Sequence, residues 1–116
     1  MPLYEPGLEN LVSRNKEEGR LSFATDIKEA VRNSDIIFIC VGTPPKQNGE
    51  PDLGAVENVV KEIAQATEGY KLIVEKSTVP VQTASWMWEI TRRYKNGDLD
   101  IAVNPEFLRE GSAVHD

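Results

Sequence analysis

Hydrophobic and polar positions change their spacing several times along the chain, and each change predicts a new element of secondary structure. The run from Asp35 to Val41 is almost continuously apolar and rich in β-branched and aromatic residues. This composition is typical of a strand covered on both faces in a parallel sheet, and we expect it to be the central strand. Shorter apolar runs predict three more strands, at Leu21–Thr25, Leu72–Val74 and Ile101–Val103.

Apolar residues at helical spacing predict four helices between and around these strands. The first runs from Pro6 to about Asn15, and the second is short and begins at Asp26, which has Glu29 at the N3 position of a capping box. The last two are expected at about 53–66 and 81–94. Strands that alternate with helices imply parallel crossovers, so the pattern predicts an α/β layered fold with a parallel sheet.

Three polar loops follow predicted strands, and in parallel sheets ligands bind beyond the carboxyl ends of the strands. The loops are Val41–Pro44, Lys76–Pro80 and Asn104–Gly111. Because the carboxyl ends of parallel strands lie at one edge, we expect all three loops to converge there. This convergence is the main indication of function that the pattern provides.

Composition and charge exclude several classes of function. The 116 residues carry 13 Lys and Arg against 19 Asp and Glu, a net charge of −6, which argues against nucleic-acid and anionic-membrane partners. No apolar run reaches the ~20 residues of a membrane span. One cysteine and one histidine allow neither an internal disulfide nor a clustered metal site. A cytoplasmic location, with no metal, is therefore the expectation.

The first two loops offer small and hydroxylated residues. Gly42 lacks the Cβ that would block a flat ligand or a phosphate, and the Thr43 hydroxyl can donate a hydrogen bond; alternatively, this loop only terminates a strand. Thr78 offers a hydroxyl directly after a strand, although the loop alone favours the alternative that Ser77 and Thr78 cap the helix that follows.

The third loop carries two acids. Glu106 and Glu110 are four residues apart, so one helical turn would place both carboxylates on the same face, where they could act as general base and ligand anchor. Alternatively, Arg109 and Glu110 are ordinary surface charges. Cys40 lies inside the most apolar run and is expected to be a buried structural cysteine.

Four motifs taken together resemble the UDP-glucose/GDP-mannose dehydrogenase family. They are Tyr4–Leu8, Ile37–Pro44, Lys76–Pro80 and Asn104–Ala113, in this order and spacing. The resemblance covers essentially all 116 residues. It implies a Rossmann-like fold, NAD as cofactor, and oxidation of the C6 alcohol of a nucleotide sugar to a carboxylate with reduction of two NAD+. UDP-glucose is the expected substrate, with GDP-mannose and UDP-N-acetylmannosamine as alternatives.

The resemblance also implies roles for individual residues. Gly42 and Thr43 would lie along the dinucleotide, and the Thr78 hydroxyl beside the nicotinamide and the catalytic water. Glu106 would act in acid/base chemistry and Glu110 would contact the cofactor. The substrate-binding loop would consist of Phe107, Leu108, Arg109 and Glu110, with the backbone of residues 107–109 cradling the sugar nucleotide.

The chain also departs from the family pattern. The sequence lacks the family's opening strands, its Gly-rich dinucleotide loop, and the catalytic cysteine, lysine and aspartate of the later domain. Gln82 stands where many family members have glycine, and Cys40 does not match the family's nucleophilic cysteine. We therefore expect an incomplete N-terminal NAD-binding domain over residues 1–116, without a second domain and inactive alone. A noncatalytic nucleotide-binding or assembly module is the alternative. With its first strands missing, the fragment is expected to self-associate, whereas the full enzyme would be a homo-oligomer.

Overall fold

The computed structural model describes residues 4–42, 44–50, 52–76, 82–94, 98–104 and 111–115. They form two compact units: one contains the described parts of 1–25 and 107–116, and the other contains those of 26–106. In the described chain, no helix is both long and apolar enough to cross a membrane.

The first unit contains helix α1, Leu8–Glu17. It begins two residues later than the sequence predicts because Gly7, its N-cap, has a left-handed φ of 85°, which leaves Pro6 in the preceding turn. The predicted strand Leu21–Thr25 is wrong, since these residues form neither helix nor strand. Arg20 and Leu21 both donate their N–H groups to the Asn15 carbonyl, which holds this segment at the end of α1 rather than in a ladder.

The second unit alternates helices with strands, as the sequence predicts. In chain order its elements are α2 Ile27–Arg32, β1 Ile36–Ile39, α3 Gly54–Ala66, β2 Tyr70–Glu75, α4 Thr83–Tyr94 and β3 Asp98–Val103. The strands form a three-stranded sheet in the order β1-β2-β3, and both pairs are parallel. The predicted α/β parallel fold is confirmed, with three strands rather than four in the described chain.

β1 is an edge strand of this sheet, so the prediction that its apolar run is central and covered on both faces is wrong. β2 occupies the centre, between β1 and β3. Ile36 and Phe38 in β1 are 55% and 59% exposed, while Ile39 is buried. An apolar run indicates that a strand is suited to burial, but it does not specify how many other strands pair with it.

The core lies between the sheet and the helices of this unit. Helices α3 and α4 contact each other, and α2 contacts α3. Their apolar side chains pack against one face of the sheet, in a cluster of Val31, Ile39, Val56, Val60, Ile63, Ala64, Ile73, Met87, Ile90 and Leu99. The sheet is thereby fixed to its helices through alternate residues of each strand.

Two polar contacts fix α2 at its ends. The Asp26 carboxylate accepts hydrogen bonds from the N–H groups of Lys28 and Glu29, which confirms the predicted N-cap. Lys71, which is 5% exposed, donates hydrogen bonds from its ammonium to the carbonyls of Arg32, the last residue of α2, and of Ser34, just beyond the helix. A buried cation thus satisfies carbonyl groups at the C-terminal end of α2.

Candidate functional site

The carboxyl ends of the three strands lie side by side. Ile39 pairs with Glu75, and Glu75 pairs with Val103. The Lys76 N–H donates to the Ile39 carbonyl, and the Asn104 N–H donates to the Glu75 carbonyl, each at 2.9 Å. The three polar loops therefore leave the sheet from adjacent hydrogen-bonded points, which confirms that their starting points converge.

Gly42 follows β1 at this edge and is exposed. Its φ does not lie in the left-handed region, and a Cβ built on it would meet no described atom within 4 Å. Neither backbone strain nor internal packing among the described residues therefore requires glycine at this position. Among the described residues nothing occupies the position of a Cβ at Gly42, and a flat or phosphorylated ligand needs such space for close approach.

Glu75 is a feature of this edge that the sequence pattern missed. It is the last residue of β2 and is completely buried, although it carries a carboxylate. In the sequence it ends an apolar run and precedes the polar loop, so the only available signal was an acid at the end of a strand. Its side chain lies on the same face of the sheet as Ile39, because the two residues are register partners.

Most of the site residues predicted from the sequence lie outside the described residues. They are Thr43, Thr78, Glu106, Phe107, Leu108, Arg109 and Glu110. Of the predicted set, the structure describes Gly42 alone, and its contact with a cofactor stays a prediction. The roles of the others remain predictions.

The flanks of the third loop are described on both sides. Before the loop, Asn104 is bonded through its N–H to the end of β2. After it, the N–H groups of Gly111 and Ala113 donate to the two carboxylate oxygens of Glu5, at 2.9 and 3.4 Å. No local pattern in the sequence indicates this contact, because Glu5 and Gly111 are 106 positions apart.

Cys40, directly after β1, is exposed. The prediction that it is buried is wrong, because β1 ends at Ile39 and lies at the edge of the sheet. Among the described residues, no three His, Cys, Asp or Glu side chains cluster as metal ligands. What this edge offers is space at Gly42, backbone groups at the strand ends and a buried carboxylate, which suits an organic ligand bound beyond the sheet.

Comparison with known families identifies the chain as part of a cofactor-binding domain. Residues 1–116 match the model of the UDP-glucose/GDP-mannose dehydrogenase family, NAD binding domain. The UDP-glucose 6-dehydrogenase TuaD of Bacillus subtilis is 50% identical over 118 residues, which cover 100% of this chain and 26% of that protein. The GDP-mannose 6-dehydrogenase of Pseudomonas aeruginosa is 40% identical over 123 residues, covering 99% of this chain and 28% of that protein.

Solved structures show the same similarity. The UDP-glucose dehydrogenase of Pyrobaculum islandicum superposes with a TM-score of 0.92 at 41% identity, covering 98% of this chain and 28% of that one. A ternary complex of GDP-mannose dehydrogenase from Pseudomonas aeruginosa superposes with a TM-score of 0.88 at 41% identity, and the match covers 99% of this chain and 28% of that one. The chain therefore spans about a quarter of the length of the relatives it matches.

Proposed function

Because the chain belongs to the UDP-glucose/GDP-mannose dehydrogenase family, in which it corresponds to the NAD binding domain, we propose that it is part of a nucleotide-sugar 6-dehydrogenase. The proposed reaction converts UDP-glucose to UDP-glucuronate with two NAD+. The observation that carries the proposal is the convergence of three strand ends, with Gly42 beside open space, within a chain that matches the family along its whole length.

In this proposal bound NAD+ would supply the hydride acceptor for both oxidations, and water would supply the second carboxylate oxygen. The chain binds and orients: Gly42 and Thr43 lie along the dinucleotide, and Thr78 holds its hydroxyl near the nicotinamide and the water. Glu106 moves protons, and Glu110 contacts the cofactor. The segment Phe107, Leu108, Arg109 and Glu110 binds the sugar nucleotide, chiefly through its backbone.

The choice of UDP-glucose rests on the relatives. The Bacillus subtilis protein, named a UDP-glucose 6-dehydrogenase, is 50% identical, while the Pseudomonas aeruginosa GDP-mannose 6-dehydrogenase is 40% identical. GDP-mannose remains the second substrate to test, because the GDP-mannose dehydrogenase complex also superposes at a TM-score of 0.88. UDP-N-acetylmannosamine is the third, and a nucleotide-binding or assembly module without catalysis is the remaining alternative.

The cofactor assignment is tested at Gly42. Saturation-transfer NMR of the chain with NAD+ should show transfer to the dinucleotide, and Gly42→Val should remove it. A Cβ at this position meets no described atom within 4 Å, so thermal unfolding of the variant should be unchanged. Gly42→Ala, which adds a smaller side chain, should reduce saturation transfer to the dinucleotide by an intermediate amount. Undiminished transfer in the correctly folded valine variant would contradict the proposal.

We expect the chain alone not to produce NADH from NAD+ and UDP-glucose or GDP-mannose. The family's covalent step needs a thiolate, and Cys40, the single cysteine, does not match that nucleophile. Substrate-dependent NADH absorbance from a preparation of the chain that is free of host dehydrogenases would show that this expectation is wrong.

We also propose a cytoplasmic location, because NAD+ and nucleotide sugars are intracellular metabolites.

We further propose that the isolated chain self-associates and that the complete enzyme is a homo-oligomer. For the isolated chain, the supporting observation is β1, an edge strand in which Ile36 and Phe38 are 55% and 59% exposed. β1 carries no charged residue between Ile36 and Ile39, so two copies would not repel each other there. Sedimentation velocity over a concentration series should show a mass above that of the monomer.

A further inference from the structure

The loop between β1 and α3 contains an asparagine directly before a glycine, Asn48–Gly49, inside a closed turn. The Lys46 N–H donates to the Glu50 carbonyl at 2.6 Å, and the Gly49 N–H donates to the Lys46 carbonyl at 3.0 Å. Residues 44–50 are all exposed. Asparagine and glycine are common in such turns, because asparagine can bond the backbone two residues on and glycine tolerates a positive φ.

The Asn48 side chain is held against the backbone that follows it. Its Oδ1 atom accepts a hydrogen bond from the Glu50 N–H at 3.1 Å. A donor on this oxygen draws electron density from the side-chain carbonyl carbon, Cγ, and stabilises the negative charge that develops on the oxygen when a nucleophile attacks. The contact therefore places Cγ beside the main chain of the turn and makes it more electrophilic.

The backbone nitrogen of Gly49 is the nucleophile that the covalent structure places closest to this carbon, since attack on Asn48 Cγ closes a five-membered ring. Glycine has no Cβ to obstruct the approach. Gly49 has a φ of 86°, and a Cβ built on it would meet no described atom within 4 Å, so packing among the described residues does not hold it. Its hydrogen bond to the Lys46 carbonyl must open before the ring closes, which costs little in an exposed turn.

We propose that Asn48 is a site of non-enzymatic deamidation. The Gly49 nitrogen gives its proton to a solvent base and bonds to Asn48 Cγ, and the bond from Cγ to the side-chain nitrogen breaks as that nitrogen leaves with a proton as ammonia. Water then opens the resulting succinimide, at one carbonyl to give aspartate and at the other to give isoaspartate. One water is consumed and one ammonia is released, with no oxidation or reduction.

The products change the turn in two ways. Both carry a carboxylate in place of the amide, which adds a negative charge to a loop that already contains Glu50 and Asp52 and to a chain of net charge −6. Isoaspartate also routes the main chain through the former side chain, so the hydrogen bond between Glu50 N–H and Asn48 is lost. The proposal does not depend on the function proposed above, because it uses only residues 46–50.

The test follows each asparagine separately by peptide mapping after the folded chain is incubated in mildly alkaline buffer. Trypsin releases residues 47–61 as one peptide, which contains both Asn48 and Asn58. Asn58 is the internal reference, because it is also exposed but lies within α3 and precedes valine. Asn96, which also precedes glycine, lies outside the described residues and on a different peptide. Fragment spectra assign the mass change, and methylation by an isoaspartyl methyltransferase measures isoaspartate.

Three variants separate the chemistry of the ring closure from the effect of the turn. Gly49→Ala adds a Cβ beside the attacking nitrogen, and Glu50→Pro removes the N–H that donates to Asn48 Oδ1. Glu50→Ala is the matched control, because it keeps this N–H and removes only the carboxylate. Incubation of the wild-type chain in urea measures the reactivity of Asn48 without the turn.

We expect Asn48 to deamidate about tenfold faster than Asn58 or more in the folded chain, a ratio that needs only a modest difference in activation free energy. Gly49→Ala and Glu50→Pro should each slow the reaction, and Glu50→Ala should match wild type. Reaction of Asn48 in urea but not in the folded chain would overturn the proposal, because the turn would then protect this residue. A rate in Glu50→Pro equal to or above that of wild type would overturn the assistance by the Glu50 N–H.

Discussion

The two faces of the three-stranded sheet carry similar side chains in different surroundings. On the face that α3 and α4 cover, Ile39, Ile73 and Leu99 are 2%, 0% and 3% exposed. On the opposite face, Ile36, Phe38 and Tyr70 are 55%, 59% and 58% exposed. Residues of the two sets alternate along the same strands, so neighbouring positions in one apolar run differ completely in burial.

The difference shows that burial in this sheet is determined by what packs on each face, and not by residue type. Ile36 and Ile39 belong to the same four-residue strand and have the same side chain. The second face is itself uneven, because Val74 on the central strand is only 7% exposed while Ile36 and Phe38 on the edge strand are largely exposed. The following predictions test this comparison, from the largest expected effect to the smallest.

Truncating one isoleucine on each face should give unequal losses of stability. Ile73→Ala, at a completely buried position of the central strand, should lower the free energy of unfolding by about 2–5 kcal/mol. Ile36→Ala should cost less than about 1 kcal/mol, because more than half of that side chain already contacts water. Urea unfolding followed by circular dichroism measures both, and equal losses would contradict the distinction between the faces.

Removing the buried cation of the covered face should have the next largest effect. Lys71→Met keeps the apolar length of the side chain but leaves the carbonyls of Arg32 and Ser34 without their donor, which should cost about 1–3 kcal/mol. The control is Lys61→Met, where a half-exposed lysine lies 3.2 Å from Glu57 and 5.9 Å from the centre of the Tyr94 ring, and the loss should be about 1 kcal/mol or less. Comparable losses for the two lysines would mean that Lys71 does not anchor α2.

A charge placed on the exposed face of the edge strand should weaken self-association and leave the fold intact. Phe38→Lys places an ammonium in the middle of β1, and lysine on an edge strand opposes pairing with another chain. Sedimentation velocity should show a shift to monomer, with unfolding changed by less than about 1 kcal/mol. Phe23→Lys is the control, since Phe23 is 71% exposed and lies outside the sheet. Equal shifts for both variants would exclude β1 as the contact.

The smallest effect is expected at Tyr70, where the second face carries a polar contact. The Tyr70 hydroxyl donates to Asp100 at 2.8 Å, and this hydrogen bond, followed by desolvation and then by the Asp100 charge, raises the pKa of the phenol above 10.0. The contact therefore stabilises the fold below pH 10.0 and is lost as the pH rises through the higher pKa of the folded state. Spectrophotometric titration of the folded chain should place this phenol above its value in Asp100→Asn. The same titration midpoint in both would contradict the assignment.

The sequence predicted the order of elements in the larger unit, the Asp26 cap and the meeting of the three strand ends, because each depends on local spacing or on a general rule of parallel sheets. It did not predict the exposure of Cys40, which directly follows the edge strand β1 of the described sheet. The strand predicted at Leu21–Thr25 failed for a similar reason, since its composition suits a ladder that the described chain does not provide.

For the site, the sequence indicated three loops after strands but could not indicate the long-range contacts of their flanking residues. The Gly42 assignment rests on a local signal, a glycine directly after a strand, and it stays a prediction. The Glu5 contact joins the two termini, and no periodicity or motif spacing within either segment indicates it. Side chains that act over long sequence separations are visible only in the folded chain.

The order of the strands in the sheet also has a consequence for how the chain folds. Each strand pairs with the next one along the chain, with register partners such as Ile36 and Leu72, then Tyr70 and Asp98. During synthesis, β1 and α3 must therefore wait for β2 before any ladder can form, and β3 adds to an existing pair. We expect a stepwise route in which the β1-α3-β2 segment is the first cooperative unit, with folding slowed by the long loops that must close before parallel strands meet.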